Sequence, residues 1–593
     1  METRTGGNCA AEPSRRPGDE AKRAWASPAA AGRSILGRLC SWDAAFLGIL
    51  LLLTFKVVVG TSVANDIRLA DETRYLAATF AETLPPAAMS PLYICWYRFL
   101  SWFAPDTVSL YYLNWVVLTA TLAGGVYMLA RTLGATIPLA FLGGTLVLFS
   151  RIYFVWPRPM HFAASLMLFG LALAISRRSI PAKLAMATLT AGAGAYARPE
   201  FAVSFVFLAT VLIAVLCREA WREPRLMARW FGLAALSLVP VALLFYSLGN
   251  PLGGARSHVA FGQHYAVNKW KAGLIPETRS PSHNYAVIIE EDFGGSEMTP
   301  LRAWRADSAN FRWHLSMNIG NLVPHLWQTF QFHRADEITP LVRGCLVLLF
   351  IAALAGAAIG LRSQFVNKSL IEGLTPVLIL LAMIAPILAA CLVIYPRAHY
   401  LVCLVVLLLA CSAALAARIT AFARWTPPLA SFALIALAVA VLAPNQSMGW
   451  SLGRLTDETS VANMTKAMPC RQAIRRIQDI PFDADLRVLE LGYSRFVYSD
   501  HDFEFHSYTE IGEESFTSFL SDKMINVIVF NPADLGVDRI HDDPEYAKFR
   551  DDPPPGWVAV SKPDFPYKIV VRRDALAESV GNIAIAPAET RRL

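Results

Sequence analysis

Long apolar runs alternate with short charged interruptions over the first three quarters of the chain. Charge-free stretches at 107–130, 132–150 and 373–396 match the length of a bilayer-crossing helix, about 20 residues with a range of about 17–25. Comparable apolar stretches lie near 44–64, 159–176, 180–197, 201–217, 230–250, 344–361, 398–417 and 425–444. The pattern predicts about eleven transmembrane helices. From about residue 445 the apolar runs stop. Short strand-like segments follow at 487–491, 525–530, 557–560 and 567–571, with acidic and Pro-rich turns such as Asp551-Asp552-Pro553-Pro554-Pro555 between them. The expected fold is a polytopic α-helical membrane protein with a C-terminal extramembrane α/β domain. Its parts are a basic tail at 1–42, expected to be disordered, a membrane part at 43–444 with external loops at 65–106 and 250–340, and the α/β domain at 445–593.

Composition agrees with this pattern. Of 593 residues, 55% are hydrophobic and only 17% charged, where soluble domains carry about 25% charged residues. Fifty-three basic against 46 acidic residues leave +7, too little to argue for nucleic-acid binding and better explained by topology. The tail holds Arg4, Arg15, Arg16, Lys22, Arg23, Arg33 and Arg38. Alternate loops hold Arg131; Arg177, Arg178 and Lys183; Arg218, Arg222, Arg225 and Arg229; Arg362 and Lys368; Arg418 and Arg424. By the positive-inside rule these mark the cytoplasmic side, with the two long loops and the C-terminal domain outside. The tail is too long, polar and Pro/Gly-rich for a signal peptide, so the first span is expected to be retained. Of nine cysteines, only Cys95 and Cys470 fall in external segments, and no disulfide framework or paired metal-ligand spacing is present. Together with the Ala/Arg-rich composition this favours a bacterial inner membrane, with the periplasm outside, over a lumenal setting.

Candidate chemistry begins in the first external loop, Asn65-Asp66-Ile67-Arg68-Leu69-Ala70-Asp71-Glu72-Thr73-Arg74-Tyr75. Asp66, Asp71 and Glu72 follow the first span at once. Residues 70–82 suit an interfacial helix with Leu69, Tyr75, Leu76, Ala78, Thr79 and Phe80 on the apolar side and Asp71, Glu72 and Arg74 toward the headgroups; Pro85-Pro86 ends it. A second interfacial helix is expected over 91–103, anchored by Trp96, Tyr97 and Trp102. The bland reading is a solvated loop whose carboxylates pair with Arg68 and Arg74. Other outer turns, however, carry cations: Arg151 and Arg158 with His161, Arg198, and Arg397 with His399. Arg98 is a further external cation. Arg198 has a plain alternative as a snorkelling partner of Glu200, and Lys56, near the outer third of the first span, reads most simply as a snorkelling lysine.

Carboxylates ringed by Arg and His at headgroup depth suit transfer from an anionic lipid-linked donor. Arg grips phosphate oxygens in a bidentate fork and stabilises charge on a leaving group, while a carboxylate can take the proton from an attacking hydroxyl. Six of the eleven histidines, His258, His264, His283, His314, His325 and His333, lie in the second long loop. None has close ligand spacing, so no resident cofactor is implied and a divalent metal stays an open alternative. The stretch 261–270, which includes His264, can stack on and hydrogen-bond to sugars, or simply cover the helices.

Asp71-Glu72-Thr73-Arg74-Tyr75 resembles the first-loop signature of GT-C glycosyltransferases, closest to the branch of lipid A aminoarabinose transferases and protein O-mannosyltransferases, whose members use polyprenyl-phosphate sugars. Ser90-Pro91-Leu92-Tyr93 is similar to the Lys-Pro-Pro-Leu stretch of that branch, Ala197-Arg198-Pro199-Glu200 to its Arg-Pro-Glu, and Tyr395-Pro396-Arg397-Ala398-His399-Tyr400 to a late Pro-Arg-Tyr element. Met89 and Ser90 stand where the branch has lysine, so Arg98 or Arg158 would take its place. The resemblance implies a GT-C-like fold and an inverting glycosyltransferase acting at the periplasmic membrane face. Asp71 would be general base, with Asp66 competing for that role and Glu72 binding acceptor or orienting the base. Arg158, Arg198, Arg397 and His399 would hold the donor phosphate, and Arg74, Tyr75, His264 and Glu200 would line the substrate pocket. The implied partners are a polyprenyl-phosphate-linked sugar, membrane lipids, and an envelope glycan, lipid or protein acceptor. A membrane polysaccharide polymerase or ligase, or a lipid-linked-glycan flippase or transporter, are the alternatives.

Overall fold

The computed structural model describes residues 42–577 except 68–70, 81–89, 152–156, 254–255, 277–280, 282–283, 333–334, 365–369, 423–427, 467, 492–502, 508–514, 531–542, 562–564 and 566. The described residues of the membrane part are mainly helical: α1 (Trp42–Val58), α2 (Asp71–Phe80), α3 (Pro91–Ser101), α4 (Thr107–Thr132), α5 (Ile137–Leu148), α6 (Pro159–Ile175), α7 (Ile180–Ala195), α8 (Phe201–Arg222) and α9 (Met227–Leu248). Among the described residues the second long loop holds four α-helices, of which α10 (Arg256–Lys271), α11 (Tyr285–Phe293) and α12 (Ser308–Thr329) matter below. Then come α13 (Thr339–Gln364), α14 (Leu370–Val393), α15 (Val402–Phe422) and α16 (Leu429–Leu442).

Each of the eleven apolar stretches contains a helix. Among the described residues, seven helices are long and apolar enough to cross a membrane: 42–64, 107–132, 201–222, 224–248, 336–358, 374–393 and 402–419. α5, α6 and α16 are apolar but shorter. The stretch 132–150 is helical only in part: α4 ends at Thr132, and α5 covers 12 residues, about 18 Å at ~1.5 Å per residue, against a hydrocarbon core of about 30 Å. Protein, not lipid, surrounds much of α5. Ala140, Gly143, Gly144, Leu146 and Val147 are buried, and a Cβ on Gly144 would meet the Ala123 carbonyl at 2.9 Å. α13 and α15 also touch backbone to backbone, since a Cβ on Gly356 would fall 1.9 Å from the Leu415 carbonyl oxygen. One end of the bundle is clamped where Arg131 Nε and Tyr127 Oη donate to Asp43 Oδ1 at 2.6 and 2.7 Å.

After α16 the chain forms α17 (Pro469–Gln478) and a five-stranded sheet in the order β2-β1-β3-β5-β4. β1 (Leu486–Leu491) is parallel to β2 (Phe503–Ser507) and β3 (Val527–Phe530), while β5 (Lys568–Arg572) is antiparallel to β3 and to β4 (Trp557–Ala559). Four strands lie where the alternation placed them; β2 is an addition. Period-two alternation sends Leu489, Ile528 and Val570 to one face, against Phe516, Phe519 and Phe549. Val488, Val527, Val529, Ile569 and Val571 go to the other face, against Ile474 and Ile477 of α17. That second cluster is continuous with Tyr93, Tyr97, Tyr111 and Trp115. The sheet therefore shares a core with the helices of the first loop.

Candidate functional site

The first loop folds as two helices, α2 and α3, close to the expected limits. Their side chains are arranged differently from the interfacial expectation. Glu72 does not face the headgroups: it is fully buried, and the Tyr93 and Tyr97 hydroxyls both donate to its Oε1. Asn114 Nδ2 donates to the Tyr93 oxygen at 2.8 Å, and Trp96 Nε1 donates to Asn114 Oδ1 at 2.8 Å. Tyr97 is thus core, not a headgroup anchor, while Trp102 stays exposed. Burial, then the Glu72 carboxylate, holds both phenols well above their ordinary range. Tyr75 is buried edge-on to Tyr93 at 5.4 Å, and Arg74 is exposed. Asp71 is the first residue of α2, immediately before this anchored glutamate; its side chain, like Arg68, lies outside the described residues.

Asp66 has other partners. Its Oδ1 accepts from the amides of Ile67 at 2.9 Å and Arg471 at 3.0 Å, and its Oδ2 from the amide of Cys470 at 2.9 Å. Arg98 Nε donates to the Thr79 carbonyl at 3.1 Å, tying α3 to α2. Lys56 Nζ donates to the Val441 carbonyl at 3.2 Å.

The cationic half comes from segments far apart in the chain. Arg198 pairs with Glu200, Nε to Oε2 at 3.1 Å, and its guanidinium lies 5.3 Å from the centre of the Tyr400 ring. His399 packs on Tyr400 at 4.2 Å between centroids, and His264 lies 5.8 Å from Tyr400 and stacks on Tyr395 at 5.5 Å. Lys271 Nζ donates to the Tyr395 hydroxyl at 2.7 Å, with the His325 ring 5.7 Å from that of Tyr395. Burial, then the charges of Arg158, Arg397 and Arg198, pushes His399 well down from its ordinary pKa; burial, then Lys271 and Arg397, lowers that of His325. The expected residues Arg158, Arg198, Glu200, His264, Arg397 and His399 are thus gathered around one place. Arg198 is the member of this group paired with Glu200, and Lys271 joins it through Tyr395. Beside them lies a cavity of about 370 Å³, walled by Arg198, Glu200, Tyr400, Ala260, Ile387 and Ile394, among others, and largely apolar.

The two halves adjoin. The Leu92 amide, at the start of α3, donates to the Tyr196 carbonyl at 3.3 Å, two residues before Arg198. Tyr93 and Trp96 pack on Phe162 at 5.8 and 5.6 Å, in the first turn of α6, whose N-cap is Arg158.

Lys271 was missed as a site residue; its position in the last turn of α10 was the available sign. The stretch 261–270 proves to be mainly core. Phe261 and Tyr265 are fully buried with Phe293 and Phe311, and only its His264 reaches the cationic group. His314 and Asn318 close the carbonyl end of α14. His314 Nε2 donates to the Val393 carbonyl at 3.0 Å, and Asn318 Nδ2 donates to that of Leu392 at 2.7 Å. Asn268 Nδ2 donates to His314 Nδ1 at 2.9 Å. This network holds the turn that presents Tyr395, Arg397, His399 and Tyr400. Among the described residues no three His, Cys, Asp or Glu side chains stand together to hold a metal; His283 and His333 lie outside them.

His264 and His314 are buried and lie outside the seven spans. Burial, aided by Arg397, pushes His264 down to about 3, and burial pushes His314 down to about 4. An unfolded histidine titrates near ~6.5, so below that pH the unfolded chain binds more protons than the folded one. Their contribution is complete above pH ~6.5 and is lost as the pH falls toward these folded values. The melting temperature of detergent-solubilised protein is expected to fall between pH ~6.5 and ~5, before most carboxylates titrate. A flat profile over that interval would contradict neutral, buried imidazoles.

No family model matches the chain, and no curated protein matches it. Among solved structures it is similar to the oligosaccharyltransferase of Archaeoglobus fulgidus in its apo form, at 13% identity over 84% of this chain and 70% of that chain, with a TM-score of 0.37. It is also similar to the oligosaccharyltransferase AglB of the same archaeon in complex with an inhibitory peptide and a dolichol-phosphate, at 12% identity over 83% and 69% of the two chains, with a TM-score of 0.38. Likeness at this distance assigns neither substrate nor residue roles.

Proposed function

We propose that the protein is an inverting glycosyltransferase that moves a sugar from a polyprenyl-phosphate donor to an acceptor hydroxyl at the outer face of a bacterial inner membrane. In this reading the N-terminus is cytoplasmic and the sheet domain periplasmic. The acceptor oxygen attacks the anomeric carbon as its bond to the phosphate oxygen breaks. Asp71 takes the hydroxyl proton, and the departing lipid phosphate carries the bonding electron pair away. Arg158, Arg198 and Arg397 hold that phosphate and offset its growing charge. His399, kept neutral among guanidinium groups, can donate one further hydrogen bond. The apolar cavity beside Arg198 suits the first isoprene units of the donor.

The observation that carries this reading is that Arg158, Arg198 and Arg397, from three parts of the chain, all act on His399 by their charge, next to an apolar cavity. Charges rarely gather at membrane depth without a ligand or pathway to serve. In proteoliposomes the protein is expected to consume polyprenyl-monophosphate sugars and release the lipid monophosphate. Consumption of diphosphate-linked glycans alone would move it to the polymerase or ligase class. Lipid or solute movement without a covalent product would reverse the enzymatic reading.

A further inference from the structure

We propose that Asp66 is a positioning residue: its carboxylate caps α17 of the sheet domain and thereby sets where the loop carrying Asp71 leaves the membrane. The inference rests on the reading of Asp71 as base, and it separates the two aspartates that compete for that role.

α17 begins without a cap of its own. Its N-cap residue is Met468, whose side chain makes no capping hydrogen bond, and Pro469 follows at the first helical position. The next two amides, of Cys470 and Arg471, point outward unsatisfied by their helix, as at every helix start. Asp66, 404 and 405 residues earlier, accepts from both and from its neighbour Ile67. A carboxylate that accepts three backbone N–H groups has little lone-pair capacity left for a substrate proton.

The contact is one of a set that fastens residues 62–67 to the C-terminal segment. An Arg471 guanidinium nitrogen donates to the Ser62 carbonyl, and that guanidinium lies 5.8 Å from the centre of the Tyr112 ring. Tyr112 Oη donates to the Asn65 carbonyl at 2.6 Å, and Asn65 Nδ2 donates to Ser447 Oγ at 2.7 Å. Ile67 is buried in the same cluster as Ile474 of α17 and Tyr75 of α2. Asp71, the first residue of α2, follows four residues after this anchor.

The two aspartates respond differently to amide replacement. Asparagine keeps one acceptor oxygen and can retain the Ile67 and Arg471 contacts while losing that to Cys470, whereas alanine loses all three; neither can act as a base. For the full-length protein in nanodiscs, Asp66→Asn is expected to leave hydrogen exchange over 71–80 and 469–478 within about twofold of the parent. Asp66→Ala is expected to speed exchange in both segments by roughly five- to tenfold, as local opening becomes easier. With polyprenyl-monophosphate sugars as donors, Asp66→Asn should keep the parental turnover within about threefold and the same pH profile, while Asp66→Ala raises KM. Unchanged exchange in Asp66→Ala would overturn the proposal. So would an Asp66→Asn protein that exchanges like the parent yet is inactive, since Asp66 would then be the base. Full activity of Asp71→Asn would instead remove the base assignment and leave the cap standing, because the exchange measurement needs no donor.

Discussion

Asp71→Asn is expected to abolish sugar transfer, by a factor of about 10²–10⁴ in kcat, the range contributed by a positioned general base. KM for donor and acceptor should change little, because the carboxamide keeps the size of the side chain and one of its acceptor oxygens. The melting temperature should move little, since residues after Asp71 anchor α2. Glu72 is held by Tyr93 and Tyr97, and Tyr75 packs on Tyr93. Glu72→Gln supplies the contrast. It disturbs a fully buried, hydrogen-bonded group, and such groups are expensive to disturb, so it should lower stability and activity together. Steady-state kinetics and thermal unfolding of both variants in the same membrane mimetic separate the cases. An Asp71→Asn protein with parental kcat would sink the assignment of the base.

Arg397→Ala should produce the second largest effect, a fall of roughly 10²–10³ in kcat, comparable to removing one preorganised stabiliser of developing negative charge. Arg397 is the most exposed of the three guanidinium groups expected at the phosphate. Its backbone contacts, from the Arg397 amide to the Tyr395 carbonyl and from the Tyr400 amide to the Arg397 carbonyl, survive the substitution, so folding should be unaffected. Arg397→Lys should recover only part of the activity, because an ammonium group cannot form the two-point grip on phosphate. Arg198→Ala is a poorer test of the same idea. It leaves Glu200, whose side chain is only 21% exposed, without its guanidinium, and breaking one side of a partly buried pair lowers stability by itself. If Arg397→Ala bound and turned over a polyprenyl-monophosphate donor like the parent, Arg397 would have no part in holding phosphate.

Patterning alone places helices in all eleven apolar stretches and four of the five strands, because the exclusion of charge from apolar runs and the two-residue alternation of strands are local properties of the chain. β2 escapes this reading. Its five residues, Phe503 to Ser507, include Glu504 and His506, and its strand character depends on parallel pairing with β1, itself paired on its other side with β3. The length of α5 escapes for a related reason. Packing against α4 replaces lipid there, and local hydropathy does not distinguish the two.

The types of residue at the site were legible: an acidic pair at the start of a surface helix, and Arg or His at several turns that helix count and loop charge assign to one side. What only tertiary structure decides is which of them meet. Arg198 and Tyr400 come together because α7, α8 and the turn after α14 share an end of the bundle. Asp66 is taken up by a helix more than four hundred residues away. Glu72 lies inside because two tyrosines from α3 enclose it. Hydropathy follows from side chains one at a time; proximity depends on how whole helices pack, and nothing in the spacing of these residues encodes it.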